Sequence, residues 1–214
     1  GPLMIGMGLV SLVFAAFMLY RRRDIKRLFA YSSIEHMGIV VFAFGMGGPL
    51  ANFAGLLHMV MHSLTKSAIF YCVGHIAQIG GTQKMTGISG LTVTHPALGW
   101  AFLVAVAAIA GLPPMGVFMS EFLIVTSTFA TLPLLALPLV LGLLVAFGAL
   151  MMRATGIAFG APPENRPAGQ PAGGAPGWAA YLPIYAHLAL VLAAGLYLPP
   201  ALVGWFRHVA GLLG

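Results

Sequence analysis

Apolar runs long enough to cross a bilayer follow one another along almost the whole chain, and no other feature restricts its folding as much. A hydrocarbon core about 30 Å thick takes about 20 mostly apolar residues per helix. Six segments fit that template: 3–20, 25–46, 51–78, 97–131, 133–160 and 179–205. Lipid supplies no hydrogen bonds, so each segment must satisfy its backbone internally, and apolar runs of this length do so as helices. The expected fold is all-α: a polytopic integral membrane protein forming one transmembrane domain over residues 1–214. Charged residues make up only 7% of the chain, against about 25% in soluble domains, so its surface is read as facing lipid.

The fourth run is too long for one straight pass. It contains Gly111-Leu112-Pro113-Pro114-Met115-Gly116, where two prolines lack amide donors and clash with the preceding turn, so the helix breaks there. Either one discontinuous span or a two-span hairpin fits. Basic residues, which accumulate on the cytoplasmic side, favour the single broken span. One side then holds Arg21, Arg22, Arg23, Lys26, Arg27, Lys84, Arg153 and Arg166, and the other holds Arg207. On this reading both ends of the chain face outward, and the Pro/Gly-rich stretch 161–177 is a flexible cytoplasmic loop. Six spans correspond to one half of a two-half transporter with an extra helix.

Several function classes fall away. The net charge of +6 sits in short loops between apolar runs, which marks membrane orientation and no nucleic-acid partner. The single cysteine, Cys72, cannot form an intrachain disulfide or a thiolate cluster, so no redox centre and no cofactor is expected. Gly1-Pro2-Leu3 runs straight into an apolar segment without a signal peptide, as a tag remnant or a longer chain would leave it.

The few charges inside the spans remain as candidates for chemistry. Lys66 is the one basic residue deep within a span, where an ionised ammonium costs about 2.5–3.5 kcal/mol without a partner or an aqueous cavity. His58 and His62 precede it at steps of four, so the three groups form a stripe along one helix, covering about 12 Å of depth. Such a stripe can hand a proton along through water. The competing reading has the histidines bonding to neighbouring helices while Lys66 snorkels outward. His58 and His62 are also spaced to chelate a metal, but no third ligand adjoins them, and none is assigned.

Glu121 lies about two turns past the proline break, where freed carbonyls and amides can solvate a carboxylate as an outward gate. A fixed Glu121–Lys66 salt bridge would serve structure alone and conduct nothing. Glu35, followed by His36, lies two to three turns into the second span, either on an inward-facing path or in a polar interhelical contact. His75 and His187 are read as structural.

Three runs, 24–33, 58–70 and 111–122, taken in order, resemble successive signatures of the antiporter-like subunits of complex I, Mrp antiporters and membrane-bound hydrogenases. Ser33-Ile34-Glu35-His36-Met37-Gly38 is most similar to the component F subunit of hydrogenase-4, a relative of formate hydrogenlyase. The resemblance implies the last six helices of a fourteen-helix subunit. It also implies that Lys26, the His58/Lys66 stripe and Glu121 belong to a chain of protonatable groups. The expected function is proton translocation in a hydrogenase-4-like respiratory complex of a bacterial inner (plasma) membrane. Other membrane subunits and a soluble cytoplasmic electron-transfer arm would be its partners. As part of an oxidoreductase complex, the chain would carry no redox centre of its own. The rival readings are a Na⁺/H⁺ antiporter subunit, binding Na⁺ at Glu121 and the freed carbonyls, and a structural anchor docking a soluble arm through Arg21 to Arg27.

Overall fold

The computed structural model describes residues 1–162 and 177–213, so most of the loop expected at 161–177 lies outside the described residues. The described chain is helical: α1 (Pro2–Arg21), α2 (Ile25–Met46), α3 (Pro49–Gly80), α4 (Leu91–Thr94), α5 (Pro96–Ile109), α6 (Gly116–Thr131), α7 (Pro133–Phe159), α8 (Leu182–Leu196) and α9 (Pro200–Leu212). Four of these, α1, α2, α7 and the segment ending in α8, are long and apolar enough to span a bilayer. At 32 residues α3 also has the length, but its histidines, lysine and hydroxyl residues dilute its apolar character.

Local chemistry sets the helix ends. The Asp24 carboxylate caps α2 by accepting from the Arg27 amide at 2.9 Å. Prolines open α1, α3, α5, α7 and α9, positions where a missing amide costs nothing. Glycine lets α1 and α2 approach backbone to backbone. A Cβ on Gly8 would stand 2.5 Å from the Phe42 amide nitrogen, and one on Gly38 would stand 2.7 Å from the Gly8 carbonyl. Outside that contact, α1 exposes Leu3, Met7, Val10, Phe14 and Phe17 at helical spacing, and α7 exposes Leu134, Leu137, Leu141 and Leu144. These stripes suit contact with acyl chains or with a neighbouring apolar subunit.

The broken fourth run behaves as a single interrupted pass. α5 and α6 have 14 and 16 residues, about 21 and 24 Å, and each alone falls short of the bilayer core. They scarcely touch each other and share the neighbours α3, α7 and α8, whereas a hairpin would lay them side by side. The sixth expected span ends earlier than read from the sequence: Tyr197-Leu198-Pro199 interrupts it, and α9 follows as a separate helix. Pro199 and Pro200 supply the reason, since neither can donate to the turn before it. α9 folds back on the start of α3, burying Phe206 and Ala210, with Asn52 donating to the Ala210 carbonyl at 3.4 Å.

Charge is polarised along the bundle. Near one end, Arg23 and Lys84 lie on the joined α1–α2 and α3–α4 loops, where the Met85 amide donates to the Arg23 carbonyl and the Ile25 amide to Gln83. Arg153 on α7 reaches the same end and donates to the Tyr20 carbonyl at 2.5 Å. Arg207 belongs to α9, which packs at the opposite end against the first turns of α3.

Candidate functional site

α3 runs through the middle of the bundle, in contact with α2, α5, α6, α8 and α9, so polar groups on its inner face leave both lipid and bulk water. His58 and Lys66 are 0% and 5% exposed, and Glu35 and His36 on α2 are each 1% exposed. Groups of this kind persist in such a place only when they satisfy one another.

The partners run from helix to helix. The Ser120 hydroxyl on α6 donates to the Val117 carbonyl at 2.8 Å, so its oxygen accepts from the His58 Nδ1–H at 2.9 Å. That tautomer leaves His58 Nε2 as an acceptor, 3.0 Å from His36 Nδ1, which therefore carries the proton. His36 Nε2 and Glu35 Oε2 lie 3.4 Å apart, near enough to exchange a proton but without a hydrogen bond between them. Glu121 enters from the far side, with Oε1 at 3.9 Å from His36 Nδ1. His62 closes the group, its ring centroid 4.9 Å from that of His36.

The helix break positions Glu121. Pro113 and Pro114 remove the amides that would have bonded to the Ile109 and Ala110 carbonyls. Those two residues line a cavity of about 20 Å³ together with Glu35 and Glu121, a volume that suits about one water molecule. Gly111, with φ of +74°, lies against the carboxylate, and a Cβ there would overlap Glu121 Oε2. The same glycine thus makes the turn and the space.

Lys66 adopts neither of the bland arrangements considered for it. It is buried, and its Nζ donates to the Phe29 carbonyl on α2 at 2.8 Å, so it does not snorkel to the surface. Among the described residues no ion pair joins it to Glu121. Phe29 lies six residues before Glu35, about 9 Å of helix rise, so Lys66 occupies the side of the chain towards the arginine-rich end.

The structure therefore gathers Glu35, His58, His62 and Lys66 in one buried region with Glu121, 13% exposed, at its edge, and leaves Lys26 exposed at the start of α2, outside it. Two members were not singled out from sequence: His36, which joins both other histidines and both carboxylates, and Ser120, which orients His58. Each adjoins a carboxylate that was singled out, but their roles depend on contacts between helices. His75 and His187 stay apart, His75 beside the Tyr181 ring and His187 bonded within its own helix to the Pro183 carbonyl.

A helical membrane bundle with one discontinuous helix and buried ionisable groups at the break belongs to a recognisable class. The chain is a member of the NADH:quinone oxidoreductase/Mrp antiporter transmembrane family, whose model matches residues 2–152. Among particular relatives, it is 59% identical over 213 residues to the hydrogenase-4 component F homolog of Methylacidiphilum infernorum (isolate V4), covering 100% of this chain and 43% of that relative. The chain thus spans less than half the length of that relative. In fold it resembles the Mrp complex of Dietzia sp. DQ12-45-1b, with a TM-score of 0.86, 19% identity and coverage of 99% of this chain and 47% of the other. It also resembles respiratory complex I of Thermus thermophilus, with a TM-score of 0.82, 23% identity and coverage of 100% and 45%.

Proposed function

We propose that this chain forms part of a proton-translocating subunit of a hydrogenase-4/formate-hydrogenlyase-like respiratory complex in a bacterial inner membrane. The observation that carries the reading is the hydrogen-bonded sequence Ser120–His58–His36, with Glu35 and Glu121 within 4 Å of His36. A proton delivered to Lys66 from the arginine-rich, cytoplasmic end passes to Glu35, then to His36 and His58, and leaves through Glu121 at the break. Imidazole suits the middle of such a path, because a proton received on one ring nitrogen allows release from the other. The cavity between the two carboxylates has room for one water to join them. Lys26 stands at the exposed entrance, and His62 exchanges protons beside His36.

In the complete complex, coupling comes from charge movement in neighbouring membrane subunits, driven by a soluble electron-transfer arm on the cytoplasmic side. The test is His36→Ala in the assembled complex. Proton translocation drops at least tenfold while the subunit still assembles, and unchanged translocation rejects the path. A second reading, cation/proton exchange, draws on Ile109 and Ala110, which line the cavity with Glu121 and whose carbonyls have lost their helical donors, as do the unwound carbonyls that coordinate Na⁺ in transporters. It requires transport that depends on Na⁺ in proteoliposomes.

A further inference from the structure

The histidines spaced to chelate in the sequence, His58 and His62, are not the pair that the fold sets up to do so. We propose that His36, His58 and Glu121 form a binding site for one divalent transition-metal ion of the Zn²⁺ type, whose occupancy closes the proton path. One nitrogen or oxygen from each of the three residues lies within 4.8 Å of the others. In a tetrahedral zinc site with bonds of about 2.0–2.1 Å, neighbouring ligand atoms stand about 3.3 Å apart. His36 Nδ1 and His58 Nε2, now 3.0 Å apart, need to open by a few tenths of an ångström, and Glu121 needs to close by about half an ångström on His36 and by up to about 1.5 Å on His58, which a carboxylate rotamer change can supply. Two imidazoles and one carboxylate with a fourth position open are a recurring zinc ligand set.

The surroundings support the ligands as well. A metal-bound histidine generally donates its other ring N–H to a carboxylate, carbonyl or hydroxyl, which fixes the ring. Ser120 already receives the His58 Nδ1–H at 2.9 Å. For His36 to coordinate through Nδ1, its proton must sit on Nε2, and Glu35 Oε2 waits 3.4 Å from that atom. His58 thus has its outer partner, and His36 has one within a few tenths of an ångström of hydrogen-bond distance. A dication here meets the Glu121 and Glu35 carboxylates, whereas one without counter-charges would be strongly disfavoured in this interior. Lys66, the nearby ammonium, points away to the Phe29 carbonyl. Nitrogen donors select Zn²⁺, Cu²⁺ or Ni²⁺ over Mg²⁺ and Ca²⁺. Coordination occupies the two nitrogens whose hydrogen bond links α2 to α3, so a filled site cannot pass a proton between them.

Binding of the ion stands on donor geometry alone, while closure of the path rests on the relay proposed above. The test uses the detergent-solubilised complex containing the full-length subunit, with Zn²⁺ uptake measured at equilibrium and the zinc environment read by X-ray absorption. Wild type is expected to bind one more tightly held Zn²⁺ per subunit than Glu121→Gln, with two imidazole nitrogens and one carboxylate oxygen around it. Glu35→Gln and Ser120→Ala, which keep the ligands but alter their outer partners, are expected to weaken uptake about tenfold. Equal zinc content in wild type, Glu121→Gln and Glu35→Gln overturns the site, and so does a zinc shell lacking imidazole. Proton translocation with and without micromolar Zn²⁺ separates the two proposals: a site that fills without slowing translocation keeps the metal assignment and removes the relay.

Discussion

At the scale of single residues, the site depends on a few buried polar groups. Lys66 is buried against the Phe29 carbonyl, and replacing it by alanine removes the buried ammonium of the proposed path. Lys66→Ala is expected to lower proton translocation on the order of 100-fold, the scale of a lost proton-transfer group, with assembly retained. His187→Ala, whose ring bonds within its own helix, is expected to stay within about twofold of wild type in the same vesicle assay. Gly111→Ala places a methyl group on the Glu121 carboxylate at φ of +74°. The left-handed backbone alone costs about 1–2 kcal/mol, so the variant is expected to unfold several degrees lower in detergent and to translocate poorly. Lys66 and Glu121 were legible from sequence because a charge within an apolar run stands out. His36 was not: a histidine one residue after a carboxylate has no periodicity to announce it, and its partners lie 22 and 85 positions along the chain.

At the scale of helices, two kinds of small or rigid residue organise the bundle. Gly8, Gly38 and Gly45 bring α1 and α2 into backbone contact, so Gly8→Leu is expected to force them apart and destabilise by about 1–3 kcal/mol, seen as a lower melting temperature of the solubilised subunit. Pro113 and Pro114 free the Ile109 and Ala110 carbonyls beside the acids, and the break they cause was readable directly, since a pair of prolines cannot sit inside a helix. The pair Pro199-Pro200 carries the same signal. The hydropathy of the surrounding residues masked it, so the last span was read through to residue 205, whereas α8 ends at Leu196 and α9 turns back onto α3.

For the molecule as a whole, the distribution of arginines and the buried chain give a direction. Arg21, Arg23, Lys84 and Arg153 gather near one end, Arg207 belongs to the other, and Lys66 lies on the arginine-rich side of the histidines. Charge placement predicted that polarity from sequence, because loops sort by charge whatever their packing. The meeting of α2, α3 and α6 at one point was beyond it, being a matter of tertiary contact. Glu121 is where the break, the cavity and the histidines converge, so Glu121→Gln addresses the central claim most directly. It preserves size while removing the ionisable carboxylate. The measurement is the number of protons moved per electron pair in inverted membrane vesicles. A ratio that falls while electron transfer continues agrees with conduction through the buried chain, and a ratio equal to wild type contradicts it.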